Sequence, residues 1–290
     1  MKPAPFEYIA PNTTSEVLEV INQHGSDSKL IAGGQSLVPA MNFRLVQPMM
    51  LVDLNKLSEL NYIKNDANGG LLIGGMTRQR QMENSSLVRS SAPLLWETMP
   101  YIAHAQIRNR GTLGGSLAHA DPAAELPVIM ITLDCKIHVK SVNSDRWVEA
   151  VDFFQGIFTT DLKDDEVILE VAVPQLPERC GWAFDEFSRR KGDFALFGVA
   201  ALVVMEDDDR CNWARLVYLN AGDRPIIGYK AAEILTGQAP AEDVIEAASE
   251  AASLEINPTG DIHATVPYVR HLAKILTKRA LIRAIERAKS

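Results

Sequence analysis

The apolar positions change period several times along the chain, and each change marks an element. In NTTSEVLEVINQHG, Val17, Leu18 and Ile21 fall on one helical face. Thr13, Thr14 or Ser15 can cap the start of that helix and Gly25 can close its end. KLIAGG reads as a short strand, SLVPAMNFRL as a short helix and MMLVDL as a buried strand. Asn61 to Gly75 reads as a hairpin turning at Asn68-Gly69-Gly70. Helices are expected at Gln79–Glu83, Ala92–Ala103 and about Ala123–Leu133, with Asp121-Pro122 opening the last of them. Strands follow at CKIHVK, RWVEA and EVILEVAVP.

PQLPERC, with two prolines, interrupts the pattern near Pro174 to Cys180. Beyond it WAFDEFSRR, FALFGVAALVVM and CNWARLVYLNAG alternate as antiparallel strands do. The acidic run Glu206 to Asp209 reads as a solvated turn between two of them. Helices at Ala231–Leu235, Ala241–Ala252 and from Val266 close the chain.

Composition narrows the functional classes. The 290 residues are 47% hydrophobic and 23% charged, enough for a real core and more than one domain. A formal charge of -8 argues against general nucleic-acid binding. No apolar run is long enough for a membrane span, and MKPAPFEYIAP lacks a signal-peptide core. Cys135, Cys180 and Cys211 are scattered and odd in number, which suggests buried thiols in a reducing, cytoplasmic setting.

The chemistry concentrates in two glycine loops. Gly111, Gly114 and Gly115 lie within GTLGGS, between Thr112 and Ser116, ahead of an apolar helix; AGGQS, Ala32 to Ser36, follows a strand. Glycine admits positive φ and close backbone approach, and such loops hold anions through their N–H groups. A lone Gly-Gly pair is most simply a tight turn. Two such loops in these contexts can grip one ligand bearing two phosphates. Neither GxGxxG nor GxxxxGK[ST] occurs, so Rossmann and P-loop readings are unsupported. Arg108 and Arg110 flank the second loop; either can approach phosphate or serve a surface contact. His119 beside Asp121 is insufficient for catalysis or metal binding, and His104 has no assigned role. The closing helix is basic, either a solvated face or a docking surface.

KLIAGGQSLVPAMNFRL, IGGMTRQ, HAQIRNRGTLGGSLAHADPAAELP, EVILEVAVP, SRRKGDFA and YVRHLAKILTKRAL together resemble the FAD-binding medium subunit of the molybdenum hydroxylases, the xanthine dehydrogenase and carbon monoxide dehydrogenase group. Within the group the likeness points to medium subunits of bacterial N-heteroaromatic hydroxylases such as quinoline 2-oxidoreductase. The resemblance implies an α+β fold: a two-part α/β FAD-binding domain (PCMH, vanillyl-alcohol-oxidase-like) over 1–176, split at about 55, and a C-terminal antiparallel-sheet and helix domain over 177–290. It implies FAD held by Ala32, Gly33, Gly34, Gln35 and Ser36 and by Thr112, Leu113, Gly114, Gly115 and Ser116. Ile102 and Ile168 fall at apolar positions near the flavin, and Glu125 at an acidic position toward the ribose. Asp185 falls at a polar position near the isoalloxazine where relatives carry lysine, and Phe194 at a side chain over the ring. Lys191 lies nearby.

The same resemblance implies partners. A small subunit with two 2Fe-2S clusters would pass electrons to this FAD, and a large subunit with a molybdenum-pterin cofactor would hydroxylate substrate, in a dimer of heterotrimers. This chain would then be the electron-transfer subunit of an oxidoreductase, with no acid–base dyad and no metal of its own. Two other readings stay open: a stand-alone flavin oxidoreductase of the same fold, and a cofactor-free scaffold whose glycine loops are only turns.

Overall fold

The computed structural model, which describes residues 2–290, begins with β1 (Glu7–Ile9), α1 (Thr14–His24), β2 (Ser28–Ile31), α2 (Leu37–Asn42) and β3 (Met50–Asp53). The three strands form a parallel sheet in the order β1-β3-β2, with Tyr8 opposite Leu51 and Leu30 opposite Val52. Parallel neighbours need crossovers, and α1 and α2 lie in the connecting segments. Thr13 caps α1, its Oγ1 accepting from the Glu16 N–H at 3.2 Å, and Gly25 ends the helix at φ +48°. Val17, Leu18 and Ile21 bury against Val52, Leu54 and Leu57. Burying each such side chain is worth about 1.5–3 kcal/mol, which holds the small sheet to its helix.

The next part runs β4 (Ile63–Asn65), β5 (Leu71–Gly74), α3 (Gln79–Asn84), α4 (Ser86–Ser91), α5 (Pro93–Thr98), α6 (Ala105–Arg108), α7 (Leu113–His119), α8 (Glu125–Thr132), β6 (Lys136–Lys140), β7 (Asp145–Glu149), α9 (Ala150–Phe153), β8 (Phe154–Gly156), β9 (Thr159–Thr160) and β10 (Val167–Val173). Five strands pair antiparallel in the order β4-β5-β10-β6-β7. The predicted hairpin turns where the Asp66 N–H donates to Gly70 O at 2.8 Å, with Gly69 at φ +88°. The helix expected over 92–103 is shorter. Pro100 brings no N–H, α5 gives way to a 3-10 turn at Met99–Tyr101, and Ala103 sits at φ +43°. Asp121-Pro122 does not open α8. The Asp121 carboxylate accepts from the Ala123 N–H at 2.9 Å, closing a local turn before the helix begins at Glu125.

The last part holds β11 (Cys180–Ser188), β12 (Ala195–Met205), β13 (Cys211–Leu219) and β14 (Ile226–Ile227) as one antiparallel sheet, then α10 (Tyr229–Leu235), α11 (Glu242–Glu255) and α12 (Val266–Lys289). The run Glu206–Asp209 is the β12–β13 turn, closed by the Glu206 N–H on Arg210 O. Every residue of β12 is buried because both faces of the sheet are covered. Ala200, Leu202 and Val204 face the core of the preceding part; Val199, Ala201 and Val203 face α12. A Cβ at Gly181 would lie 1.7 Å from Ala284 O, so glycine there lets α12 lie flush on β11. The fold is thus an N-terminal part with a three-stranded and a five-stranded sheet and their helices, followed by a C-terminal antiparallel sheet backed by helices. Cys135, Cys180 and Cys211 are buried and unpaired. No helix is long and apolar enough to cross a membrane among the described residues.

Candidate functional site

The two glycine loops meet. A Cβ on Gly33 would lie 2.3 Å from Arg110 O, and one on Gly115 would lie 3.4 Å from the Ala32 Cβ. The first loop leaves β2 at Ile31, passes Gly34 at φ +73° and enters α2 with the Val38 N–H on Gly34 O. Among the described residues, none of the Gly33, Gly34, Gln35 and Ser36 amides has an acceptor within the chain. Four consecutive free donors form an anion nest. They border a cleft of about 320 Å³ lined by Ile31, Gly33, Gly34, Gln35, Val38, Pro39 and Arg110.

The second loop is built differently. Four of its five amides are already used: Leu113 donates to Thr77 O at 3.0 Å, Gly114 to Gly75 O at 2.8 Å, Gly115 to Thr112 Oγ1 at 3.0 Å and Ser116 to Thr112 O at 3.2 Å. Thr112 is the N-cap of α7. Gly114 is glycine for packing, since its Cβ would lie 2.8 Å from Gly75 O. This loop therefore mainly supports the first one; among the described residues the Thr112 amide and the Ser116 hydroxyl have no acceptor. A polar brace joins them. Arg78 donates to Arg110 O and to Asn55 Oδ1, and Asn55 Nδ2 donates to Ala32 O at 2.9 Å. Burial pushes the Asp53 carboxyl up, but hydrogen bonds from Tyr8 and Asn55 outweigh it and hold the group below its ordinary value. The sequence reading missed Asn55 and Tyr8; Arg78 lay inside a quoted motif, IGGMTRQ, without a role.

A second group of residues converges where the FAD domain meets the C-terminal sheet. Arg108 is buried and fully engaged, donating to Ile102 O at 2.8 Å and Ala103 O at 3.1 Å and pairing with Glu83 at 2.9 Å. It fixes the kink carrying Ile102 and is not a phosphate contact. Ile102 and Ile168 share the main core with Leu113. Burial pushes the Glu125 carboxyl up to about 7, with Asp121 adding like charge and Arg108 opposing it. Glu186 is pushed up to about 8 by burial, then by Glu125 and Asp185. Its Oε2 is buried without a partner.

Asp185, expected near the isoalloxazine, turns toward the C-terminal helix. Strand side chains alternate, so with Phe184 in the FAD-domain core, Asp185 faces α12. There it lies 3.2 Å from Arg279 Nε and 3.5 Å from Arg283 Nη2. The alternation puts Glu186, its neighbour, on the FAD-domain side. Phe194 is 72% exposed at the end of the β11–β12 loop. Gly192 in that loop has φ +87°, and a Cβ there would lie 2.5 Å from the His104 ring. Asn220 donates from its amide to Pro122 O and from its side chain to Ala195 O, both at 2.8 Å, so Phe194 emerges beside the Asp121–Pro122 turn. Lys191 is exposed. Most basic residues of α12 pair within the chain, Lys274 and Lys278 with Glu246 and Arg287 with Glu97, while the Arg270 Nε is buried without a partner. His119 stacks on Phe158 at 4.9 Å, and burial lowers its pKa. Among the described residues no group of three His, Cys, Asp or Glu is placed to hold a metal ion.

The arrangement fits a dinucleotide with a diphosphate. It offers free amides and, beside them, an apolar wall of Ile31, Val38 and Pro39.

Comparison with known proteins agrees with this chemistry. Residues 4–176 match the family described as the FAD binding domain in molybdopterin dehydrogenase, and residues 182–284 match the CO dehydrogenase flavoprotein C-terminal domain. The chain is 39% identical over 290 residues to the 6-hydroxypseudooxynicotine dehydrogenase complex subunit alpha of Paenarthrobacter nicotinovorans, covering 100% of this chain and 97% of that one. It is 34% identical over 281 residues to the carbon monoxide dehydrogenase medium chain of Hydrogenophaga pseudoflava, covering 97% of each. Among solved structures, it superposes on quinoline 2-oxidoreductase from Pseudomonas putida 86 with a TM-score of 0.95, 38% identity and 100% coverage of both chains. The carbon monoxide dehydrogenase of Hydrogenophaga pseudoflava gives a TM-score of 0.96 at 34% identity, covering 99% of both chains.

Proposed function

This chain belongs to the FAD-binding medium subunits of the molybdenum hydroxylases, and from that premise we propose that it is the electron outlet of a complex acting on an N-heteroaromatic substrate. Bound FAD supplies the chemistry, storing two electrons while exchanging them singly with an iron–sulfur partner and releasing them to an external acceptor. The chain's own residues bind and orient it. The observation that carries the reading is the run of four free amides at Gly33–Ser36, pressed against the Thr112–Ser116 turn.

In this reading the Ala32–Ser36 nest and the Ser116 hydroxyl hold the diphosphate. Thr112, Leu113, Gly114 and Gly115 hold the nest in place. Glu125 meets the ribose hydroxyls, Ile102 and Ile168 border the flavin, and Phe194 covers its exposed face. Glu186 replaces Asp185 as the carboxyl facing the ring. Residues 1–176 and 177–290 act as two domains, the second closing over the flavin. The chain works in the cytoplasm within a dimer of heterotrimers, beside a 2Fe-2S subunit and a molybdenum-pterin subunit. The N-heteroaromatic assignment rests on similarity to quinoline 2-oxidoreductase at 38% identity over the whole chain.

The assembled complex tests this directly. Anaerobic addition of quinoline is expected to bleach the flavin absorbance, and acceptor to restore it. Bleaching by carbon monoxide and by no heteroaromatic would overturn the substrate class.

A further inference from the structure

Arg108 and Arg110 stand two residues apart before the second glycine loop, and the structure gives them opposite fates. Arg108 is buried and consumed by Glu83 and the Ile102 and Ala103 carbonyls. Arg110 is exposed, and among the described residues its guanidinium makes no hydrogen bond or ion pair within the chain. Its backbone is fixed. The Arg110 N–H donates to Ile107 O at 3.0 Å, and its carbonyl accepts from Arg78 while lying against Gly33.

We propose that Arg110 is a charged contact for the cofactor's diphosphate, so that the cradle is half backbone dipole and half ion pair. This rests on the reading that FAD occupies the cleft. Arg110 lines that cleft together with Gly33, Gly34 and Gln35, and is its one formally charged lining residue. The competing partner for its charge is Asp53, whose two oxygens are already taken by Tyr8 and Asn55. The other nearby cation, Arg78, is committed to Asn55 and to the Arg110 carbonyl. A chain of net charge -8 repels a dianion, and an uncommitted guanidinium beside four free amides offsets that repulsion.

The test is FAD titration of the cofactor-stripped protein from low to high ionic strength, followed by flavin fluorescence. Arg110→Met is expected to raise the Kd for FAD about tenfold to a hundredfold at low salt and to flatten the salt dependence. Arg110→Lys, which keeps the charge but loses the planar fork, is expected to recover most of the affinity and all of the salt dependence. Wild-type affinity in Arg110→Met would overturn the proposal. So would Arg110→Lys behaving like Arg110→Met, since that marks stacking on the adenine. Failure of the unaltered protein to bind FAD would overturn the underlying reading as well, and is distinguished by affecting every form equally.

Discussion

Glu186 shows how far a single position departs from what its neighbours suggest. The resemblance points to a polar group near the isoalloxazine at Asp185, whose side chain turns toward α12, because a family resemblance fixes a segment but not which strand face each side chain takes. The two-residue period decides it: Phe184 and Glu186 face the FAD domain, while Asp185 meets Arg279 and Arg283. Burial pushes Glu186 up to about 8 and Glu125 up to about 7. From the ordinary carboxylate range up to those values, the folded chain holds protons that the unfolded chain has released. Stability therefore falls as pH rises through this window. In the cofactor-stripped protein, Glu186→Gln is expected to remove the decline in Tm at the upper end, near pH 8, leaving the part due to Glu125. An unchanged Tm profile would show that Glu186 ionises freely.

The two loops looked alike as sequence but divide their labour. Counting glycines located both, and it identified the short helices and strands around them. It did not reveal that the second loop spends its amides on Thr77, Gly75 and Thr112, because those partners are distant in sequence or depend on the α7 cap. Nor did it show the brace from Arg78 through Asn55 to Ala32. The division predicts different phenotypes. Gly33→Ala drives a methyl toward Arg110 O and should weaken FAD binding at least about tenfold. Gly114→Ala drives one into Gly75 O and should cost about 1–3 kcal/mol of stability before any loss of cofactor. Both methyls meet backbone, Gly33 at 2.3 Å and Gly114 at 2.8 Å, so both variants are expected to melt below the unaltered protein. FAD titration of the folded variants, well below their melting ranges, separates the two: Gly33→Ala is expected to lose affinity as well as stability, Gly114→Ala stability alone, and unchanged affinity in Gly33→Ala would mean that both loops are structural.

At the scale of the molecule, the antiparallel second half was readable from the alternation of its strands. The parallel three-stranded sheet was not, since β1 is three residues long and its partner lies more than forty residues away. β12 read as an apolar strand; its burial on both faces becomes intelligible once α8 and α12 are seen on either side. That two-sided cover joins the halves and brings Glu125 and Glu186 together. Most charges of the basic C-terminal helix are matched inside the chain, by Glu97, Asp185 and Glu246. Whether this joined structure holds one FAD across its glycine loops is decided most directly by the flavin absorbance and flavin-to-protein ratio of gently purified protein. A yellow protein with one FAD per chain is expected, with less flavin retained in Gly33→Ala; a colourless protein that takes up no added FAD would refute FAD binding at these loops.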